Sequence, residues 1–166
     1  MTNAEFWEII ERSKHEASSS DEQAEKLETL LSHLSAEEIV SFDQIFTRLR
    51  HEAYRWDIWG VAYILCGGCS DDSFDYFRAW LISRGQEFYD EAIEDPESIA
   101  RKVTKDDYPA AEFLLSAAYN AYEAKTGNSL PPSSLRHPEE PSGCKWSEDD
   151  LPKLFPVAFA KEGICG

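Results

Sequence analysis

Apolar positions recur at intervals of three and four along the first two-thirds of this chain, and polar capping signals separate the runs. Thr2, Asn3, Ala4 and Glu5 have the capping-box form ahead of Phe6, Trp7, Ile9 and Ile10, which predicts an amphipathic helix to about Ala17. Ser18, Ser19 and Ser20 break it. Ser20 to Gln23 repeats the box, and Ala24, Leu27, Leu31 and Leu34 follow at helical spacing, so a second helix ends near His33. Ser35, Ala36, Glu37 and Glu38 give the signal again before Ile39, Phe42, Phe46, Leu49 and Ala53. Beyond Asp57 the run IWGVAYILC is apolar on every side. At this length it reads as a buried helix, with Gly60 marking close packing against a neighbour.

Gly67 and Gly68 then supply a turn, and residues 71 to 84 form a helix closed by Gly85, with Phe74, Phe77 and Leu81 in one stripe and Tyr76 and Trp80 beside it. Residues 86 to 94 make another helix, and Asp95 with Pro96 starts a short one. Pro109 opens a long element to Ala124, read as a central packed helix ending at Gly127. Residues 128 to 166 hold six of the eight prolines and cannot form a long regular element. They also carry Leu130, Leu135, Trp146, Leu151, Leu154, Phe155, Val157 and Phe159, too many hydrophobes for a free linker. The expectation is an all-α fold, a compact single-domain bundle of about seven helices over residues 1–127. An irregular, Pro-rich tail, 128–166, docks on it with one short turn after Ser147.

At 166 residues the chain suits one core. Apolar content of 42% places the many acids on the surface of a folded body. Thirty-two Asp and Glu against sixteen Lys and Arg give a formal charge of −16, which repels phosphate backbones and anionic membranes and attracts a basic protein. Nucleic acid is therefore not an expected ligand. The N-terminus has no basic segment ahead of an apolar run, and no stretch reaches the ~18 apolar residues of a membrane span, so a cytoplasmic location is expected. Cys66, Cys69, Cys144 and Cys165 are then reduced by default.

The densest chemistry lies in CGGCSDDSFDYFRAW, residues 66 to 80. Cys66 and Cys69 have redox-motif spacing, and a thiolate just before a helix start is favoured by the dipole, which makes Cys69 the better nucleophile. The thioredoxin-like use of this motif requires a βαβ setting that the pattern lacks, so a structural reading is preferred. A zinc site from all four cysteines has only single cysteines 75 and 96 residues beyond Cys69 to complete it. Ser70, Asp71, Asp72 and Asp75 crowd the first turn, where capping needs one or two of them, and Asp75 can pair with Arg78 at i, i+3. The four histidines show no ligand spacing, and no P-loop, Rossmann, nucleophile-elbow or metalloprotease signature occurs.

Phe6 and Trp7, W-G-V-A-Y-I-L at 59 to 65, G-G-C-S-D-D-S-F-D-Y-F-R-A-W-L-I-S-R-G at 67 to 85, D-P-E-S-I-A at 95 to 100 and L-P-K-L at 151 to 154 together resemble the bacterial family known as domain of unknown function 4240. The resemblance implies a bacterial, actinobacterial-type, cytoplasmic protein, found in some larger chains beside a WGR module, with no established activity. It also implies that Cys69 belongs to the motif while Cys66 is less regular. Attention falls on Ser70, Asp71, Asp72, Phe74, Phe77, Trp80 and Gly85.

Two functions are expected from these readings. The first is a non-catalytic module that recognises a basic protein, in the manner of an immunity or inhibitor protein, through Cys69, Ser70, Asp71, Asp72, Asp75, Arg78 and Trp80, with no cofactor. The alternative is a metal- or thiol-dependent enzyme, or a small-ligand sensor, built on Cys69, Asp71, Asp72 and Asp75.

Overall fold

The local signals above are realised in a computed structural model that describes residues 1–164. Among these residues the regular structure is helical: α1 (Asn3–Lys14), α2 (Ser20–Ser32), α3 (Ala36–Glu52), α4 (Trp56–Leu65), α5 (Asp71–Ser83), α6 (Gln86–Glu94), α7 (Glu97–Lys102), α8 (Ala117–Thr126), α9 (Leu151–Leu154) and α10 (Pro156–Phe159). The fold is all-α. Eight of these α-helices lie in residues 1–127, close to the expected seven, and the tail adds two single-turn helices and a 3₁₀ turn at Glu148–Asp150.

Capping boxes close the starts of α1 and α3, where Thr2 and Ser35 accept from the backbones of Glu5 and Glu38. At α2 the cap falls one residue earlier than expected. Ser19, not Ser20, accepts from Glu22 N at 3.1 Å, while the Glu22 carboxylate reaches back to the backbone and hydroxyl of Ser18. Helix α1 stops at Lys14, short of Ala17.

The largest departure is the segment beginning at Pro109, which is not one long helix. Residues 104 to 111 are irregular, a 3₁₀ turn covers Glu112–Leu115, and α8 begins only at Ala117. Ala111 has φ −139° and ψ 61°, and its N–H donates to the Tyr76 carbonyl of α5 at 3.1 Å. A tertiary hydrogen bond thus replaces the local one that would have continued the helix.

Helix α5, not this segment, occupies the centre. It packs against α1, α2, α3, α4 and α6, and every residue from Phe77 to Ser83 is buried. Its own Phe74 and Leu81 share one core with Phe6, Ile10, Leu27, Leu31, Ile39 and Phe42, all at most 2% exposed. Each such side chain contributes about 1.5–3 kcal/mol relative to exposure.

Helix α4 is covered on its outer side by residues of the tail. Ser142 exchanges backbone hydrogen bonds with Tyr54 and Trp56, Trp146 Nε1 donates to the Trp56 carbonyl, and Phe155 lies over Gly60. The Glu97 carboxylate accepts from Val157 N (2.7 Å) and Ala158 N (3.1 Å), which anchors the start of α10 on α7.

Candidate functional site

The turn between α4 and α5 is built by its glycines. Gly67 and Gly68 take φ of +64° and +119°, a path that side-chain-bearing residues rarely follow, and Gly68 N donates to the Tyr63 carbonyl at 2.8 Å. Trp59 Nε1 donates to the Cys69 carbonyl at 2.9 Å and holds the far end of the turn. Ser70 is the N-cap of α5, its hydroxyl accepting from Ser73 N at 3.2 Å. The helix therefore starts where the sequence placed it.

Helical geometry then divides the predicted residues between two faces. Asp71, Asp75 and Arg78, at spacings of four and three, share one face; Ser73, Tyr76, Trp80 and Ser83 share another about 160° away. The first face is turned towards α3. Arg50 donates to Asp75 Oδ1 through Nε (3.1 Å) and through Nη2 (2.7 Å), and Nη2 also reaches Oδ2 at 2.8 Å. Arg78 Nη2 reaches the same Oδ1 at 3.1 Å, so the expected i, i+3 pair forms inside a larger triad. Arg78 is 2% exposed, its Nη1 donates to the Arg50 carbonyl, and its guanidinium stands 4.6 Å and 4.9 Å from the ring centroids of Tyr54 and Phe74. Burial lowers the Arg78 pKa, and Asp75 opposes that shift. Asp71 and Asp72 remain exposed; the pKa of Tyr54 is raised first by burial and then by the nearby Asp71 carboxylate.

His51 borders the triad and meets His137 of the tail edge to face, with ring centroids 5.1 Å apart. Its pKa is lowered by burial, then by His137, Arg50 and Arg78, with Asp75 acting in the opposite direction. Because the unfolded chain binds a proton here more readily than the folded one, this residue's contribution to stability is present above the ordinary value of 6.5 and is lost as pH falls through the lower folded value. Thermal unfolding at pH 7.5 and 5.5 should show a drop in Tm on acidification that shrinks in His51→Gln. An undiminished drop in the variant would assign the effect to other groups. The glutamates of the helix caps, held below the ordinary carboxylate range by their cap hydrogen bonds, act only at lower pH.

The second face of α5 lines a cleft of about 730 Å³. Its walls come from three separate parts of the chain: the link between α1 and α2, the turn carrying Cys66 and Cys69, and residues 106 to 113. Trp80 is 3% exposed and belongs to the interior behind the cleft, whereas Tyr108 and Phe113 stand on its rim at 72% and 56% exposure. The two cations of the cleft are already engaged. Lys14 pairs with Glu11 (2.8 Å) and donates to the Arg84 carbonyl, while Arg84 approaches Asp107 (3.8 Å) and lies over the rings of Trp80 and Phe88. Among the acids, Glu112 accepts from Tyr76 at 3.3 Å and pushes that phenol's pKa up, with Asp72 adding to the effect. Asp21 and Asp106 make no hydrogen bond or ion pair within the described residues.

Of the seven residues predicted as a site, only Cys69 and Trp80 line the cleft, Ser70 caps the helix, Asp71 and Asp72 are exposed, and Asp75 and Arg78 form the triad. Cys66 and Cys69 are half-buried and Cys144 is exposed; Cys165, needed for a four-cysteine zinc site, lies outside the described residues. Among the described residues no three His, Cys, Asp or Glu side chains stand close enough together to hold a metal ion. Sequence reasoning missed Gln23, Asp21, Asp106, Tyr108 and Phe113. The available signal was Lys-Asp-Asp-Tyr-Pro at 105 to 109, a charged aromatic loop that interrupts a helical pattern.

No helix of the described residues is long and apolar enough to cross a membrane. No curated protein and no solved structure matches the chain. The family model described as "Protein of unknown function (DUF4240)" matches residues 1–124, a stretch that contains the whole lining of the cleft and ends before the tail and its Leu-Pro-Lys-Leu at 151 to 154. The chain belongs to this DUF4240 family of unknown function.

Proposed function

We propose that this protein is a non-catalytic binding module for a basic protein segment, seated in the cleft beside α5. The observation that supports it is the imbalance of the cleft: both cations are held by acids or ring faces of the chain itself, Asp21 and Asp106 have no partner among the described residues, and two exposed aromatics flank them. An inserted lysine or arginine gains the carboxylates and an aromatic face together. Asp72, whose charge acts on Tyr76 in the cleft wall, extends the negative rim towards the start of α5. The chain's charge of −16 steers a cationic partner from a distance, within the limits of salt screening.

Fluorescence anisotropy with labelled hexaarginine and hexalysine, and with hexaglutamate as a control, tests this reading. Both basic peptides should bind and lose affinity steeply between 50 and 200 mM salt, while hexaglutamate stays free. Asp21→Asn with Asp106→Asn should weaken both about five-fold, as expected for two exposed charge contacts. No binding, or binding indifferent to salt and to this double variant, would remove the proposal.

A further inference from the structure

We propose that Gln23 is the specificity residue at the floor of the cleft, its Oε1 accepting a hydrogen bond from the cationic N–H donor of an inserted basic side chain; this rests on the binding-module reading above. Gln23 is the fourth residue of α2, lines the cleft and is 6% exposed. The direction of its amide is set by two partners that can only accept. Ser13 Oγ donates its own hydrogen to the Ile10 carbonyl at 2.7 Å, leaving lone pairs for Gln23 Nε2 at 3.2 Å. The second acceptor is the Ser83 carbonyl, 2.9 Å from Nε2. Both amide hydrogens are thereby committed to the interior, and Oε1 must point the other way.

That oxygen receives no hydrogen bond from any described residue, yet no buried side-chain oxygen or nitrogen in the described structure is sealed without a partner. Oε1 therefore keeps an opening, and the space that Gln23 lines is the cleft. An acceptor held in place by both amide hydrogens and open to the cleft can be satisfied by water or by the donor of a ligand. It is a placed recognition group, since a donor entering there satisfies it without any rearrangement of α2.

The character of the donor follows from its surroundings. Asp21 and Asp106 carry negative charge on the same cleft and Tyr108 adds an exposed ring, so a donor that is also cationic is favoured over a neutral amide or hydroxyl. Guanidinium and ammonium share this chemistry, and hexaarginine and hexalysine separate them. A side chain reaching the floor would exchange rim contacts, which any cation can make, for one contact that requires an N–H at a fixed place.

Two measurements on the full chain decide the matter. In the wild-type protein, the side-chain amide resonances of Gln23 should shift on saturation with either peptide, since polarising the carbonyl oxygen polarises the attached N–H groups. In Gln23→Met, with folding checked by circular dichroism, affinity for at least one peptide should fall about ten-fold while its salt dependence stays that of the wild type. A loss confined to hexaarginine assigns the guanidinium and one confined to hexalysine the ammonium. Resonances that stay in place at saturation, or a Gln23→Met protein that binds both peptides like the wild type, would overturn the proposal and leave the binding module standing. If neither peptide binds the wild type, the binding-module reading itself falls.

Discussion

Asp75→Ala will lower the unfolding free energy by about 3 kcal/mol and Tm by roughly 10 °C. The reason lies in what the carboxylate leaves behind. Arg78 is 2% exposed and cannot discard its proton, so its charge must be balanced within the fold. The carbonyls of Arg50 and Phe74 accept from it, and the rings of Tyr54 and Phe74 face it, but Asp75 is the anion of the group. Without that anion, Arg50 and Arg78 repel each other across the same space. Asp75 itself is only partly buried, at 28% side-chain exposure, which keeps the cost at the lower end of the range for a broken interior pair. Asp72→Ala, three residues earlier and exposed, should change stability by less than about 0.5 kcal/mol. Urea unfolding of both variants makes the comparison. An Asp75→Ala protein within 1 kcal/mol of the wild type would mean that water or relaxation replaces the carboxylate.

Gly60→Val is expected to cost about 2 kcal/mol and to loosen the C-terminal segment from α4. A Cβ at this position would stand 2.5 Å from Phe155 Cε2 and 3.0 Å from Trp146 Nε1, closer than packed atoms allow. Helix propensity favours valine over glycine by only about 0.3 kcal/mol, so destabilisation would identify the steric contact as the stronger effect. The Phe155 ring must move, and with it the turn that begins α10 and the Glu97 contacts to Val157 and Ala158. Limited proteolysis reads the result directly, through faster cleavage in the proline-rich stretch of residues 128 to 141. Phe155→Ala in the same chain should recover part of the loss, because it vacates the space that the valine needs. Unchanged stability and unchanged cleavage would show that the segment tolerates a side chain beneath it.

How much of this was legible in advance depends on the range over which each feature is encoded. Caps at Thr2, Ser35 and Ser70 join residues three apart, so the letters that form them sit side by side in the sequence. The same holds for the stripe Phe74, Phe77 and Leu81, for the i, i+3 pair of Asp75 with Arg78, and for the all-round apolar pattern of α4. The cap of α2 stands at Ser19 and not at the expected Ser20 because three serines in a row offer equivalent caps, and only the backbone path out of α1 selects among them.

The candidate site obeys a different logic. Seven residues close in sequence invited a single cluster, but a helix turns about 100° per residue, and α5 has neighbours on several sides. The helix placed Asp75 and Arg78 against α3 and left Asp71 and Asp72 outside. The cleft on its other face is assembled from segments that begin near residue 14 and end at 113. Its loop exists because the Ala111 N–H bonds to Tyr76 in place of a helical carbonyl.

By itself, the sequence determined the helical class, the position of most helix boundaries, the acidic surface and the need for close packing at Gly60, since each rests on composition or on residues within one or two turns of each other. Only the tertiary structure decided which carboxylates are free, which way the Gln23 amide points and where a cleft opens. Those depend on residues brought together across tens of positions, and no local pattern records which face of a helix its neighbours will cover.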